Sequence, residues 1–495
     1  MSRDLECPES APDIVRSWGG VDAWLDEEGL PEGLPYLLSP RFEYDVDLNA
    51  YFRQPHVMVA PWNTNANRGR ALCGFLNFLW SARGGRSWRD AHEEDHLAYH
   101  SWRREDEAGP AVEGGTWSQE VSHVNQFYVW AMRQGHVAAL PIPQRPRRPG
   151  PPGVMRRGSS VLDTVPATYA HDERGQRIEW LPPTSYRLWR DVGLRGFGPD
   201  GLLDSSFRGR WASRNALFSD TLVRTGMRLS EQAHITVPEM PLPSVLPGYR
   251  RFWLPGVIAK YFSARWIYLP GSLVREAAFY IAVDRAEVVA EARAAGRYDR
   301  IRRPLVIADL SRPEVVHTVG QAGRRLKLHQ LKDVQRRRLM METEDGLEPA
   351  MLWLGEHGMP MTASGWKSVF TTANQRCSRL GVNLAVHAHL LRHTFAVITL
   401  EQLQRGHIAQ LAEMNEAQRG HYVRVFGDPL DWVRRRLGHK TILSTLIYLH
   451  ALQELEMETR MALVPDTWED VRQGPLADIG DDTVPPTGME EPVVT

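Results

Sequence analysis

Residues 437–450 read "LGHKTILSTLIYLH", and the segment leading into them is marked as a helix at both ends. Asp428 is placed to cap it, Pro429 suits the first helical position, Leu430, Val433 and Leu437 recur as a buried stripe, and Gly438 suits a left-handed exit. His439 therefore stands at a turn. Thr441 is placed to cap a following helix, which puts Tyr448 about two turns along it. A histidine at a helix junction with a tyrosine nine residues on is, by itself, structural far more often than chemical, so the reading depends on three stretches upstream.

"HLLRHTFA" sets His389 and Arg392 at i and i+3, on one helical face. "RTGMRLSE" puts Arg228 just after a Thr-Gly-Met turn, with Glu231 one helical turn on. "VIAKYFSARWIYLP" has strand character and carries Lys260, with Arg265 five positions later. Arg228 and Arg392, Lys260, His389 and His439, and Tyr448 together make a set of two arginines, a lysine, two histidines and a tyrosine. A tyrosine hydroxyl titrates near 10, so it attacks at neutral pH only when it is aligned and its proton is taken or its oxyanion is stabilised. Guanidinium forks match the nonbridging oxygens of a phosphodiester, and a lysine on a hairpin is placed to protonate a departing alkoxide. The implied chemistry is phosphoryl transfer to tyrosine. No compact carboxylate cluster accompanies these groups, so the cationic side chains take the place that metal ions hold in many nucleases, and neither a metal nor a cofactor is expected.

A chain of 495 residues with 42% hydrophobic and 24% charged residues is long enough for two to four globular domains. No run approaches 18 apolar residues, and "MSRDLECPES" lacks the features of a signal peptide, so a cytoplasmic protein with no membrane partner is expected. Cys7, Cys73 and Cys377 are too few and too scattered for a disulfide framework or a zinc cage. The net charge of −1 hides a segregation: residues 1–50 carry 3 basic and 12 acidic side chains, 466–495 carry 1 and 8, and 51–465 carry 55 and 40. That balance suits a polyanion-binding body between acidic ends, although arginine-rich surfaces that merely solubilise would look the same.

Helical spacing in "RALCGFLNFLWSA" and "TWSQEVSHVNQFYVWAMRQG" marks 51–140 as a helical domain. In the second stretch, Thr116 and Gln119 resemble a capping box, Val124, Phe127, Tyr128 and Ala131 form the buried stripe, and Gly135 ends the helix. "PIPQRPRRPGPPG" then opens a Pro/Arg-rich linker, 141–174, whose Arg145, Arg147 and Arg148 suit either a phosphate backbone or a solvated spacer. From 175 to 465 strand and helix patterns mix, with "RRFWLPG", "VIAKYFSA" and "RWIYLPG" read as short strands, and 466–495 reads as a disordered acidic tail.

In order along the chain, "TGMRLSE", "IAKYFSARWIYLP", "HLLRHTFA" and "LGHKTILSTLIYLH" resemble the boxes of the tyrosine recombinases, the phage integrase family that includes Xer, Cre and lambda integrase. The resemblance spans about 51–455. It implies a multidomain protein with an all-α, SAM-like core-binding domain and a mixed α+β catalytic domain. It also implies these roles: Tyr448 attacks the scissile phosphate, Arg228 and Arg392 clamp it, Lys260 protonates the leaving 5′-oxygen, His389 assists proton transfer at the tyrosine, His439 bonds a phosphate oxygen, and Glu231 orients its neighbours. Duplex DNA and a tetramer on paired sites are the implied partners, with sister recombinases or accessory proteins besides, and the nucleoid the implied location. A topoisomerase of type IB and a non-catalytic DNA-binding member of a recombinase set are the alternatives.

The chain departs from the family pattern in two intervals. Between Arg228 and Arg392 lies an insertion at about 280–345, and residues 293–338 within it hold 13 basic and 4 acidic residues. Arg324, Arg325 and Lys327 there, with Arg265 on the hairpin, are further candidates for DNA contact. A second insertion, "RGHIAQLAEMNEAQRGHYVRVFGDP", separates Arg392 from His439. An acidic rather than basic N-terminal segment, 1–50, points toward a mobile-element enzyme and away from a lambda-type arm-binding integrase.

Overall fold

Two compact units, Met1–Gln176 and Arg177–Thr495, divide the chain, and the computed structural model describes residues 29–30, 34–146, 164–170, 178–301, 304–318, 325–412, 414 and 428–461. The first unit is helical and the second mixed α+β, the architecture expected from the sequence. Among the described residues no helix is long and apolar enough to cross a membrane.

The first unit is built from α1 (Val46–Ala50), α2 (Pro55–Met58), α3 (Trp62–Ala82), α4 (Glu93–Arg104) and α5 (Gly114–Arg133). Helical spacing brings Phe75 and Leu79 of α3 against Val121, Val124, Phe127, Tyr128 and Ala131 of α5, all fully buried. Burying side chains of this size stabilises by roughly 2 kcal/mol each. Thr116 does not cap α5: the Trp117 amide donates to the Glu113 carbonyl at 2.9 Å, so the first turn closes upstream of it. Nor does the unit begin at 51, because Leu48 is buried and the Asn49 side chain is tied to both backbone groups of Leu37 at 2.8 and 2.9 Å. At its other end Ile142 is buried, and β1 (Gln144–Pro146) pairs antiparallel with β2 (Thr164–Pro166), so the proline-rich stretch starts as part of this unit.

The second unit opens with α6 (Pro183–Arg190), α7 (Ala212–Thr225) and α8 (Leu229–Ala233), followed by a hairpin of β3 (Tyr249–Leu254) and β4 (Arg265–Pro270). "VIAKYFSA" is not a strand. Pro255 cannot donate to a ladder, and Gly256–Ile258 and Lys260–Phe262 form tight 3₁₀ turns that link the two strands. After α9 (Gly271–Tyr280) and α10 (Ala286–Ala294), the basic insertion folds into a five-stranded sheet rather than a loose decoration. Its strands β5 (Leu305–Ile307), β6 (Val315–Thr318), β7 (Arg325–Lys327), β8 (Leu339–Thr343) and β9 (Gly346–Pro349) lie in the order β7-β6-β5-β8-β9, parallel only between β5 and β8. Ile307, Val316 and Leu339 give it a core of its own. Arg336, fully buried in α11 (Asp333–Arg337), pairs with Glu239 at 2.7 Å.

The remaining helices are α12 (Ala363–Arg379), α13 (Ala388–Ala412), α14 (Pro429–Leu437) and α15 (Leu443–Met461). The main core of the unit centres on Trp189, Phe218, Trp353 and Trp366, with Phe218 stacked on Trp366. A smaller cluster under α13, α14 and α15 contains Phe395, Val433, Leu437 and Tyr448.

Candidate active site

The site forms where two helices end. Both α7 and α14 finish on a glycine in left-handed backbone, Gly226 at φ 65° and Gly438 at φ 67°. A Cβ on Gly226 would sit 2.3 Å from the Phe395 ring, and one on Gly438 2.9 Å from Ser263 Oγ, so neither position admits a side chain. The helix ends leave carbonyls without helical partners. Arg392, from α13, satisfies one at each end, donating to Gly226 O at 2.5 Å and to Leu437 O at 2.6 Å. Two negative helix ends thus hold one guanidinium that is 1% exposed. Burial, with the charges of Arg228 and Arg265, pushes its pKa down to about 9, which still leaves it charged at neutral pH.

Glu231, fully buried in α8, organises the other cations. Arg228 donates to it from its backbone and its guanidinium, each at 2.9 Å, and Arg265 donates at 2.6 and 3.3 Å. Burial raises the Glu231 pKa, but Arg265 and Arg228 outweigh it and hold the carboxyl below its ordinary value. Arg265 also bonds the Arg436 and Ser263 carbonyls at 2.9 and 3.2 Å. With only 7% of its surface exposed it is an internal strut between α8, β4 and α14, not the DNA-contacting residue expected from its place on the hairpin. Two guanidiniums share the Glu231 carboxylate and Arg392 adds a third positive charge beside them, so the pocket carries surplus positive charge that a bound phosphodiester would relieve.

The other half of the site lies on α13 and α15. Asp428 caps α14 by accepting from the Leu430 amide at 2.8 Å, as expected, and α14 delivers His439 at the turn after Gly438. Thr441 does not cap α15. The helix begins two residues later, and the Thr441 hydroxyl meets Ser444 Oγ at 3.1 Å. His439 Nδ1 shares a hydrogen bond with Thr445 Oγ1 at 3.0 Å, and its ring lies nearly parallel to that of Tyr448, 12° between planes with centroids 6.2 Å apart. Burial, then Arg392, Arg228 and Arg265, pushes its pKa down to about 3. Tyr448 is 1% exposed, and burial raises the pKa of its hydroxyl against the opposing pull of Arg392 and Arg228.

The residue bonded to the Tyr448 hydroxyl is one that sequence reasoning passed over. His393 Nδ1 lies 3.0 Å from it, with the ring centroids 5.6 Å apart. Burial and the neighbouring His389 and Arg392 push the His393 pKa down to about 4, which keeps the imidazole neutral at physiological pH. His389, assigned the proton-transfer role from the motif, instead packs edge-on against His393 at 4.3 Å between centroids. The signal was present: His393 stands at i+4 from His389 and so shares its helical face.

Lys260 is exposed at the hairpin tip, close enough for its charge to lower the His389 pKa along with burial and Arg392, the larger causes. The structure thus gathers Arg228, Glu231, Lys260, His389, Arg392, His439 and Tyr448 around one locus within the second unit. Arg145 lies in β1 of the first unit, opposite Val165. Arg325 and Lys327 are exposed on β7, an edge strand of the inserted sheet. Arg147, Arg148 and Arg324 lie outside the described residues.

No family model matches the chain. Over 115 residues it is 29% identical to the tyrosine recombinase XerC of Bacillus subtilis (strain 168), a match that takes in 23% of this chain and 29% of that protein. Over that segment the chain is similar to a tyrosine recombinase. Solved structures of a site-specific recombinase and a transposon integrase also align with it at low identity. The XerH recombinase bound to palindromic difH substrate, in a post-cleavage complex, matches at 12% identity with a TM-score of 0.44, over 82% of this chain and 81% of that one. The Tn1549 transposon integrase in complex with transposon right end DNA matches at 13% identity with a TM-score of 0.45, over 83% and 98%. The matched XerC segment is under a third of that recombinase's length.

Proposed function

We propose that this protein is a site-specific DNA recombinase that cuts and rejoins duplex DNA through a 3′-phosphotyrosyl intermediate. The observation that carries the reading is the Tyr448 hydroxyl, shielded from solvent, bonded to a neutral imidazole at 3.0 Å and within the field of Arg392 and Arg228. The buried tyrosine is protonated at rest and needs both a proton acceptor and an anion-stabilising partner to attack. In the proposed step, Tyr448 Oη bonds to phosphorus, the P–O5′ bond breaks, and the Oη proton passes to His393, with His389 as its positioning neighbour. Lys260 gives a proton to the departing 5′-oxygen. Arg228 and Arg392 neutralise the nonbridging oxygens, an interaction worth about 3 kcal/mol per preorganised donor. Because its Nδ1 is taken up by the Thr445 hydroxyl, His439 offers Nε2 to the same oxygens. Glu231 keeps the arginines in place. The phosphodiester energy is stored in the new ester, so a 5′-hydroxyl from another strand reverses the attack without ATP.

In this reading the helical unit is the core-binding domain, exposed Arg325 and Lys327 contact phosphates, and the enzyme acts as a tetramer on paired sites of a mobile element in the cytoplasm. The test is to incubate the full-length protein and its Tyr448→Phe variant, in EDTA, with nicked suicide duplexes. The DNA is drawn from a random-sequence pool enriched by binding to the protein. A denaturation-resistant protein–DNA adduct is expected from the wild type alone. Adduct from neither protein, on duplexes that both bind, would sink the catalytic reading and leave a DNA-binding accessory.

A further inference from the structure

Beside Lys260 the hairpin tip presents two aromatic side chains that the reaction above does not use. Tyr261 and Phe262 are 62% and 81% exposed, and both hold left-handed backbone, at φ 59° and 55°. Residues with a Cβ avoid this region, and two in succession persist only where the surroundings fix them. Here the Phe262 amide donates to Ala259 O at 3.1 Å, the Ala264 amide to Phe262 O at 2.9 Å, and Ser263 Oγ to Lys260 O at 2.9 Å. Just below, Arg265 anchors the hairpin to Glu231. The turn also abuts the nucleophile segment, since Ser263 Oγ occupies the space a Cβ on Gly438 would need.

The two rings are treated differently. Tyr261 has the Lys260 and Lys440 ammonium groups 5.1 and 5.2 Å from its centroid, and neither lysine has an acidic partner among the described residues. Phe262 has no ring or cation contact among them. A fixed, exposed apolar ring costs hydration unless something covers it, and unpaired cations around it favour a polyanion over an apolar protein surface or another basic one. Farther down the hairpin, Trp253 and Trp266 pair edge to face at 5.2 Å, with Arg251 over Trp266 at 4.5 Å. Cations interleaved with exposed aromatics are the pattern of a surface that stacks on bases while holding phosphates.

Building on the recombinase reading, we propose that Phe262 is a wedge that enters the base stack of duplex DNA at the step beside the scissile phosphate, with Tyr261 braced by Lys260 and Lys440. Apolar side chains inserted between base steps unstack them and kink the duplex. Unstacking at that step frees the new 5′-end to leave its own helix, which strand exchange requires, and it sets a preference for easily opened steps without any base-specific hydrogen bond.

The test uses full-length protein and a duplex that forms the Tyr448 adduct, with 2-aminopurine placed on each side of the mapped cleavage phosphate. Non-cleaving Tyr448→Phe protein is expected to raise the fluorescence, whereas Tyr448→Phe with Phe262→Ala leaves it at the free-duplex level while still binding. With Tyr448 intact, Phe262→Ala is expected to slow adduct formation about tenfold on paired DNA and to recover on a duplex mismatched at that step. Phe262→Leu, which keeps an apolar wedge, should retain much of the signal. Fluorescence that rises equally with and without Phe262, or with neither, overturns the wedge while leaving the recombinase intact. If no duplex yields an adduct, the recombinase reading fails and the wedge with it.

Discussion

The two halves of the site are built by different physics. The cationic half is an interlocked set: Glu231 holds Arg228 and Arg265, Arg265 holds the Arg436 carbonyl, and Arg392 closes the ends of α7 and α14. Glu231, Arg265 and Arg392 are each held by two or more hydrogen bonds. In the nucleophile half, Tyr448 rests in the smaller cluster under α13 to α15, with one hydrogen bond on its hydroxyl. In the proposed reading, the first half is preorganised for a phosphate anion, and the second holds the attacking hydroxyl by a single replaceable bond. That division suits phosphoryl transfer, in which the phosphate pocket has to be rigid while the nucleophile changes partner from imidazole to phosphorus.

The sharpest way to break this comparison is Glu231→Ala. It leaves two guanidiniums without their shared carboxylate, and urea unfolding should show a loss of about 3–5 kcal/mol. A loss under 1 kcal/mol would mean that the cationic half is not interlocked. His393→Ala should do the reverse, keeping stability nearly intact while slowing adduct formation about 100-fold. That defect should persist on a 5′-bridging phosphorothiolate duplex, whose leaving group needs no acid, whereas the defect of Lys260→Ala should vanish there. Rescue of both variants would place His393 on the leaving-group side and overturn its assignment.

Gly438→Ala probes the seam between the halves. A Cβ in left-handed backbone that also meets Ser263 Oγ should lower stability by about 1–2 kcal/mol and displace His439. Adduct formation should fall with it, and an unchanged melting temperature would count against the close approach.

The smallest expected effect is in pH. His393 and His439 have folded pKa values of about 4 and about 3, below the ordinary 6.5. Between these limits the unfolded chain binds more protons than the folded one, so their contribution is full above 6.5 and is lost as pH falls toward 4. The melting temperature should decline over that window, and less steeply in the His393→Gln, His439→Gln double variant. Equal slopes would show that the imidazoles are not held neutral.

Much of this was legible along the chain. The α14 helix, from the Asp428 cap to the Gly438 exit, follows from local preferences, because a capping side chain, a proline at the first turn and a left-handed glycine act within a few residues. Tyr448, Arg392 and Arg228 became candidates from residue chemistry, and Glu231 from the resemblance of its stretch to a tyrosine recombinase box. Other features depended on distant partners. Arg265 reads as one more basic residue until Glu231, 34 residues upstream, and the Arg436 carbonyl enclose it. "VIAKYFSA" has strand composition, yet Pro255 and two left-handed aromatics make it a turn. His393 sits in the quoted motif, but only the approach of α15 to α13 decides which of two imidazoles meets the tyrosine hydroxyl. The sequence by itself determined the candidate groups and the helices that carry them, since these rest on local backbone preference and on the chemistry of side chains. Tertiary structure alone decided which cation became a strut and which histidine faces the nucleophile, because burial and pairing are set by residues far apart in the chain.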